Sequence, residues 1–240
     1  MGNRLKPFTS NIPKCMVKLG GKSLLEWQID ALKSCDINDI TIVTGYRSDS
    51  INLPNITYFK NPNFQETNMN ETLFCAKTKL DDSVIISYSD IVYEKKIIQL
   101  MLNFKGDLGV VVDLGWKKSY IGRTDHPYSE AENVLIENNK VITIKKNINK
   151  SSKNQIIAEF LGLVKLSKNG CQILLKKYDE LSKSHKGKFH TAPSFKKAYL
   201  TDMLQELIDS GYDIEPLFFE GKWCEIDTPQ DLERAKKFFC

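Results

Sequence analysis

The chain has 240 residues, 41% hydrophobic and 27% charged, enough apolar material for one sizeable core in a single domain spanning 1–240. Its formal net charge is only +4 and its lysines are scattered in pairs such as Lys117–Lys118 and Lys196–Lys197, which points away from a nucleic-acid surface. No apolar run approaches the ~20 residues of a membrane span, and six cysteines without a C-x-x-C pair argue against zinc and for reduced thiols in a cytoplasmic protein.

Residues 23–35 place Leu24, Leu25, Trp27, Ile29, Ala31 and Leu32 at helical spacing. The run 39–44 (DITIVT) reads as a buried strand closed by Gly45, and 56–59 as another before the Asn61-Pro62-Asn63 loop. A helix is predicted over 67–78, a strand over 84–88, a helix over 95–104 and a strand over 109–113. This β–α–β rhythm predicts an α/β fold with a mostly parallel sheet and helices on both faces. The pattern changes over 113–166, where short strands at 134–136, 141–144 and 158–166 surround an Asn138–Asn139 turn and predict a small antiparallel extension over a pocket. Helices at 171–182 and 199–210, a strand at 214–219, an extended segment at 223–227 and a helix from Pro229 complete the chain.

Three groups of residues carry chemistry. Gly2-Asn3-Arg4-Leu5-Lys6-Pro7-Phe8-Thr9, followed by Pro13-Lys14, combines a glycine, which lets backbone N–H groups approach phosphate oxygens, with two cations suited to a polyphosphate. Taken alone, the same residues also suit a frayed terminus. Asp90 and Asp227 each follow an apolar stretch, where an open α/β sheet binds ligands, and Glu225 shares a face with Asp227 in an extended segment. Such carboxylates suit Mg²⁺; Asp227 also reads as a helix cap before Thr228-Pro229. Asn68 and Thr72 lie four apart, on one face of a helical turn, as a base-reading pair or as a cap with a surface neighbour.

The first segment resembles the signature A-A-G-x-G-x-R-L-x-P-L-T…P-K-x-L of the sugar-phosphate nucleotidyltransferase superfamily. The likeness continues in VKLGGKSLLEWQ at 17–28, TNMNETL at 67–73, Tyr88-Ser89-Asp90, and WCEIDTPQDL at 223–232. The resemblance implies a Rossmann-like fold of glycosyltransferase-A type, with nucleotide held by Gly2, Asn3, Arg4, Asn68, Thr72 and Ser89. It further implies Mg²⁺ on Asp90 and Asp227, with Glu225 assisting, and Arg4 and Lys14 as the catalytic cations. The 67–73 segment resembles the cytidylyltransferase branch, which implies CTP.

Trp116 to Tyr120 and the run Arg123 to Glu132 resemble a block found in phosphonate-pathway and phosphocholine cytidylyltransferases. The implied acceptor is a small phosphonate or phosphorylated molecule: 2-aminoethylphosphonate, phosphocholine or a phospho-amino-acid amide. Arg123, Lys145 and Lys146 would meet its anion, and Glu130, Glu132, Glu159 or Asp202 its ammonium. The expected reaction is attack by the acceptor anion on the α-phosphorus of CTP with release of pyrophosphate, serving cell-surface glycoconjugate or lipid decoration. A homodimer is compatible with this reading. Two alternatives stay open, a sugar-1-phosphate nucleotidyltransferase and a non-catalytic nucleotide-binding module. The latter arises because superfamily members begin with a strand and the A-A-G part of the loop, whereas this sequence starts at the loop's last glycine, implying that some eight to ten strand residues lie upstream.

Overall fold

The computed structural model describes residues 2–240. A short hairpin of β1 (Lys18–Leu19) and β2 (Lys22–Ser23) leads into α1 (Leu24–Lys33). Ser23 and Glu26 close a capping box there: the Glu26 N–H donates to Ser23 Oγ (3.2 Å) and the Ser23 N–H to Glu26 Oε2 (2.7 Å). Then come β3 (Thr41–Thr44), β4 (Thr57–Lys60), α2 (Met69–Phe74), β5 (Val84–Ser87), β6 (Ile91–Tyr93), α3 (Lys95–Asn103) and β7 (Leu108–Asp113). The second half adds the hairpin β8 (Glu132–Glu137) and β9 (Lys140–Lys146), the long β10 (Ile156–Leu166), α4 (Lys168–Ser184), α5 (Leu200–Asp209), β11 (Glu215–Phe218), β12 (Trp223–Glu225) and α6 (Pro229–Phe239). Asn138 and Asn139 both take positive φ, 50° and 57°, the conformation a two-residue hairpin turn demands.

The α/β reading holds, but the central sheet is mixed rather than mostly parallel. Parallel pairing occurs between β3 and β4 and between β11 and β7, whereas β10 runs antiparallel to β5, β7 and β8. The reason lies in β10 itself. Its first residues, Ile156 to Glu159, pair with β8, and its last, Leu163 to Leu166, pair with β5, while β7 flanks both halves. The switch falls at an irregularity between Phe160 and Val164, where Gly162 takes φ 74°. A Cβ at Gly162 would lie 2.6 Å from the Tyr88 ring, so the bend and the seating of Tyr88 depend on the missing side chain. Within 113–166, β8 and β9 pair as an antiparallel hairpin at the end of the six-stranded sheet, and β10 is its spine.

Alternation along β7 builds two cores. Val110 and Val112 point with Phe160 and Val164 into a layer closed by Cys171 and Leu174 of α4 and by Met203, Leu204 and Leu207 of α5. Val111 points the other way, with Leu161 and Leu163, against Ile97, Ile98 and Met101 of α3. Helices thus cover both faces, as the β–α–β rhythm predicts. A third core joins Leu5, Val17, Leu19, Val92, Ile226 and Leu232 and fixes the N-terminal loop against β6 and α6. Fully burying Leu5 contributes roughly 2 kcal/mol, and Leu5→Ala would loosen that attachment. Among the described residues no helix is long and apolar enough to cross a membrane.

Candidate active site

The antiparallel pair β6–β12 assembles the acidic centre. Glu225 pairs in register with Ile91, and the Ile226 N–H donates to the Asp90 carbonyl (2.9 Å), so Asp90 and Asp227 flank the same short ladder from opposite ends of the chain. Thr228, not Asp227, caps α6: its hydroxyl accepts from the Asp231 N–H (3.2 Å), and Pro229 occupies the first turn. Asp227 is thereby free to point into the site.

Two cations from the N-terminal loop meet these carboxylates. Lys14 Nζ donates to Asp90 Oδ2 (2.7 Å) and to Asp227 Oδ1, while the Arg4 guanidinium donates to Asp227 Oδ2 (2.6 Å) and to Glu130. Gly2 opens this loop at φ 68°, where a Cβ would crowd Thr9 Cγ2 at 3.1 Å and Lys14 Cβ at 3.3 Å. Burial draws the Lys14 ammonium down, but the charges of Asp90 and Asp227 outweigh it and hold its pKa above the ordinary lysine value. Asp227 is pushed up by burial and more than compensated by Lys14 and Arg4, so it titrates below the usual carboxylate range. Burial and repulsion from Asp227 and Asp90 hold Glu225 well above that range.

Behind this centre stands a group that sequence reasoning assigned differently. Arg123, only 7% exposed, donates Nε–H to Asp231 Oδ1 (2.6 Å) and an Nη2–H to His126 Nδ1 (2.8 Å). A guanidinium cannot accept, so His126 Nδ1 must, and the imidazole carries its proton on Nε2. Asp231 Oδ2 in turn accepts from the N–H groups of Asp227 (3.1 Å) and Thr228 (2.9 Å). Arg123 thus clamps the loop that carries Asp227, with its Nε–H engaged by Asp231 and one Nη2–H by His126.

Residues 1–136 match the MobA-like NTP transferase domain. The chain belongs to this nucleotidyltransferase family. The nucleotidyltransferase is also 35% identical to the CTP:phosphoglutamine cytidylyltransferase of Campylobacter jejuni, across 97% of its own length and 94% of that protein. Among solved structures, the CTP:phosphocholine cytidylyltransferase of Streptococcus pneumoniae shares its fold with a TM-score of 0.72 at 20% identity, covering 100% of this chain and 95% of that one. The inositol-1-phosphate CTP transferase of T. maritima gives 0.72 at 18% identity, covering 99% and 91%.

The other expected site residues divide by burial and hydrogen bonding. Asn3 and Ser89 are exposed beside the loop and Asp90 respectively. Asn68 and Thr72, expected to read the base, hold their own turn: Asn68 accepts from the Met69 N–H (2.9 Å), and Thr72 donates to the Asn68 carbonyl (3.0 Å) while accepting from Asn61 (2.9 Å). The Asn68 bond is that of the capping alternative, while Thr72 is part-buried and bonded. Asp202 is 2% exposed and caps α5, accepting from the N–H groups of Tyr199 (2.8 Å) and Thr191 (2.9 Å) and from the Thr191 hydroxyl. Both oxygens of the carboxylate expected to meet an ammonium thus already accept bonds from within the chain, two from backbone N–H groups and one from a hydroxyl. Lys145 is exposed on β9, while Lys146 faces Glu132 in register and counters its charge.

Glu132 and Glu159 differ from Asp202. Glu132 accepts from Tyr88 (3.4 Å) and Thr201 (3.3 Å), and Glu159 accepts from the Tyr120 hydroxyl (2.5 Å) with its Oε2 buried and unpartnered. Burial pushes each carboxyl up to about 7. Sequence reasoning missed His126, Asp231 and Tyr120 as site residues. Only Asp231 had a readable signal, the T-P-x-D capping pattern; Tyr120 bonds Glu159, 39 residues away, and His126 bonds the neighbouring Arg123 but also faces Glu225 across the fold.

Proposed function

We propose that this nucleotidyltransferase transfers CMP from CTP to a small phosphorylated acceptor and releases pyrophosphate. The observation that carries the reading is the convergence of Arg4 and Lys14 on Asp90 and Asp227, two cations and two carboxylates gathered from three distant segments. The likeness to the C. jejuni CTP:phosphoglutamine cytidylyltransferase supports CTP as donor and a phospho-amino-acid amide as acceptor.

The acceptor's phosphate oxygen attacks the α-phosphorus, a P–O bond forms, and the bond to pyrophosphate breaks. The nucleophile is already anionic, so alignment and charge neutralisation account for catalysis and no general base is needed. Arg4 holds the leaving phosphates, and Lys14 lies between the α-phosphate and the acceptor. Glu132 and Glu159 offer carboxyl oxygens to a polar acceptor head, and a cavity of about 430 Å³ is walled by Trp116, Tyr128 and Asn133, the register partner of Glu159. Mg²⁺ fits the donor set: Asp90 Oδ1 is buried without a partner, and hard carboxylate oxygens from Asp90, Asp227 and Glu225 suit that ion. When bound, the ion supplies further neutralisation of phosphate charge.

Pyrophosphate release with CTP, UTP and other NTPs, each against phosphoglutamine, phosphocholine, 2-aminoethylphosphonate and a sugar 1-phosphate, tests the reading. CTP with phosphoglutamine is expected to turn over fastest, and Lys14→Ala to abolish it. Fastest turnover of UTP with the sugar phosphate would overturn the proposal.

A further inference from the structure

Lys14 stands where a cation shared by Asp90 and Asp227 would stand. Its ammonium contacts one oxygen of each carboxylate, and Arg4 takes the second oxygen of Asp227. Mg²⁺ binds carboxylate oxygens at roughly 2.1 Å. An ion so placed on the same two oxygens would lie within about 3 Å of Nζ, with no layer of water between two like charges. The two cations therefore exclude one another.

We propose that Lys14 is a built-in substitute for the divalent cation: it holds the Asp90–Asp227 pair together in the free protein and is exchanged when metal arrives with a polyphosphate. This rests on the reading of Asp90 and Asp227 as metal ligands. The ammonium leaves the pair incompletely satisfied, because Asp90 Oδ1 stays buried without a partner. A lysine has only three hydrogens to offer, whereas a divalent ion takes about six oxygens and can accept that atom as well. The exchange needs no backbone movement. The Lys14 main chain is fixed by the bonds from Met16 N–H to the Pro13 carbonyl (2.9 Å) and from Val17 N–H to the Lys14 carbonyl (3.1 Å) and by burial of Cys15, while four methylenes let Nζ swing away. Nucleotide phosphates give Lys14 and Arg4 new anions, so metal and nucleotide strengthen each other's binding, and do so reciprocally.

Mn²⁺ alone, titrated into the full chain and followed by electron paramagnetic resonance, tests the exchange. Lys14→Met should bind Mn²⁺ at least ten-fold tighter than the wild type, and CTP should tighten Mn²⁺ binding far more in the wild type than in the variant. Asp227→Asn, added to Lys14→Met, should remove the gain. Mn²⁺ binding that is lost with Asp227→Asn yet no tighter in Lys14→Met overturns the exchange while leaving the metal site intact. Mn²⁺ binding indifferent to Asp227→Asn overturns the metal-site reading itself. Should Lys14→Met fail to fold by circular dichroism, the wild type decides: after ¹³C reductive methylation, the Lys14 resonance should shift as Mg²⁺ saturates the site, and its constancy would overturn the proposal.

Discussion

Arg123→Met separates the clamp from an acceptor-binding arginine. Methionine keeps most of the buried stem and removes the charge, leaving the Asp231 carboxylate, its side chain 2% exposed, with no partner on Oδ1. Removing one member of a buried ion pair costs about 3–5 kcal/mol. Asp231 Oδ2 keeps its bonds from Asp227 and Thr228, so the lower end, about 3 kcal/mol, is expected here. For a chain of this size that corresponds to a melting point lower by roughly 6–12 °C. Urea denaturation measures the loss, and steady-state kinetics should show a fall in kcat through misplacement of Asp227 with the acceptor KM little changed. Adding Asp231→Asn should recover part of the stability, since the double variant buries no unpaired charge. Burial raises the Asp231 pKa, but the Arg123 guanidinium and the Thr228 hydroxyl more than offset it and hold the group below the usual carboxylate range, so its contribution is present above the unfolded pKa and is lost as pH falls. In the variant that loss should begin at higher pH. A raised acceptor KM with unchanged stability would refute the clamp and restore Arg123 as an acceptor contact.

Glu132 and Glu159, both pushed up to about 7, titrate above their unfolded values, so stability should be complete below the ordinary glutamate pKa and fall as pH rises through 7, by on the order of 3 kcal/mol per group. Urea midpoints at pH 5 and pH 8 check this, and Glu159→Gln should flatten the fall by roughly half. Thr228→Ala should cost about 1 kcal/mol by uncapping α6, read by thermal melting. Gly162→Ala should cost more than about 2 kcal/mol, because its Cβ meets the Tyr88 ring at 2.6 Å in a positive-φ residue; a melting point equal to the wild type's would show that Tyr88 can move aside.

Local signals were read well where local physics decides the outcome. The helix starts at Ser23 and Pro229, the Asn138–Asn139 hairpin and the buried run 109–113 follow from caps, turn residues and apolar periodicity, and each lies where expected. The loop cations Arg4 and Lys14 and the acids Asp90, Glu225 and Asp227 stood out through their resemblance to family motifs, and the fold brings Arg4 and Lys14 onto Asp90 and Asp227.

Sequence alone thus determined the α/β class, which depends on patterns among neighbouring residues, and its resemblance to family motifs singled out Arg4, Lys14, Asp90 and Asp227 as candidates. Only the tertiary structure decided that β10 is an antiparallel spine, that Arg123 bonds Asp231, that Asp202 accepts from the Tyr199 N–H, and that Asn68 accepts from the Met69 N–H. A buried polar side chain takes whatever partner packing delivers, and for Arg123 that partner lies 108 residues away. No local pattern carries that distance.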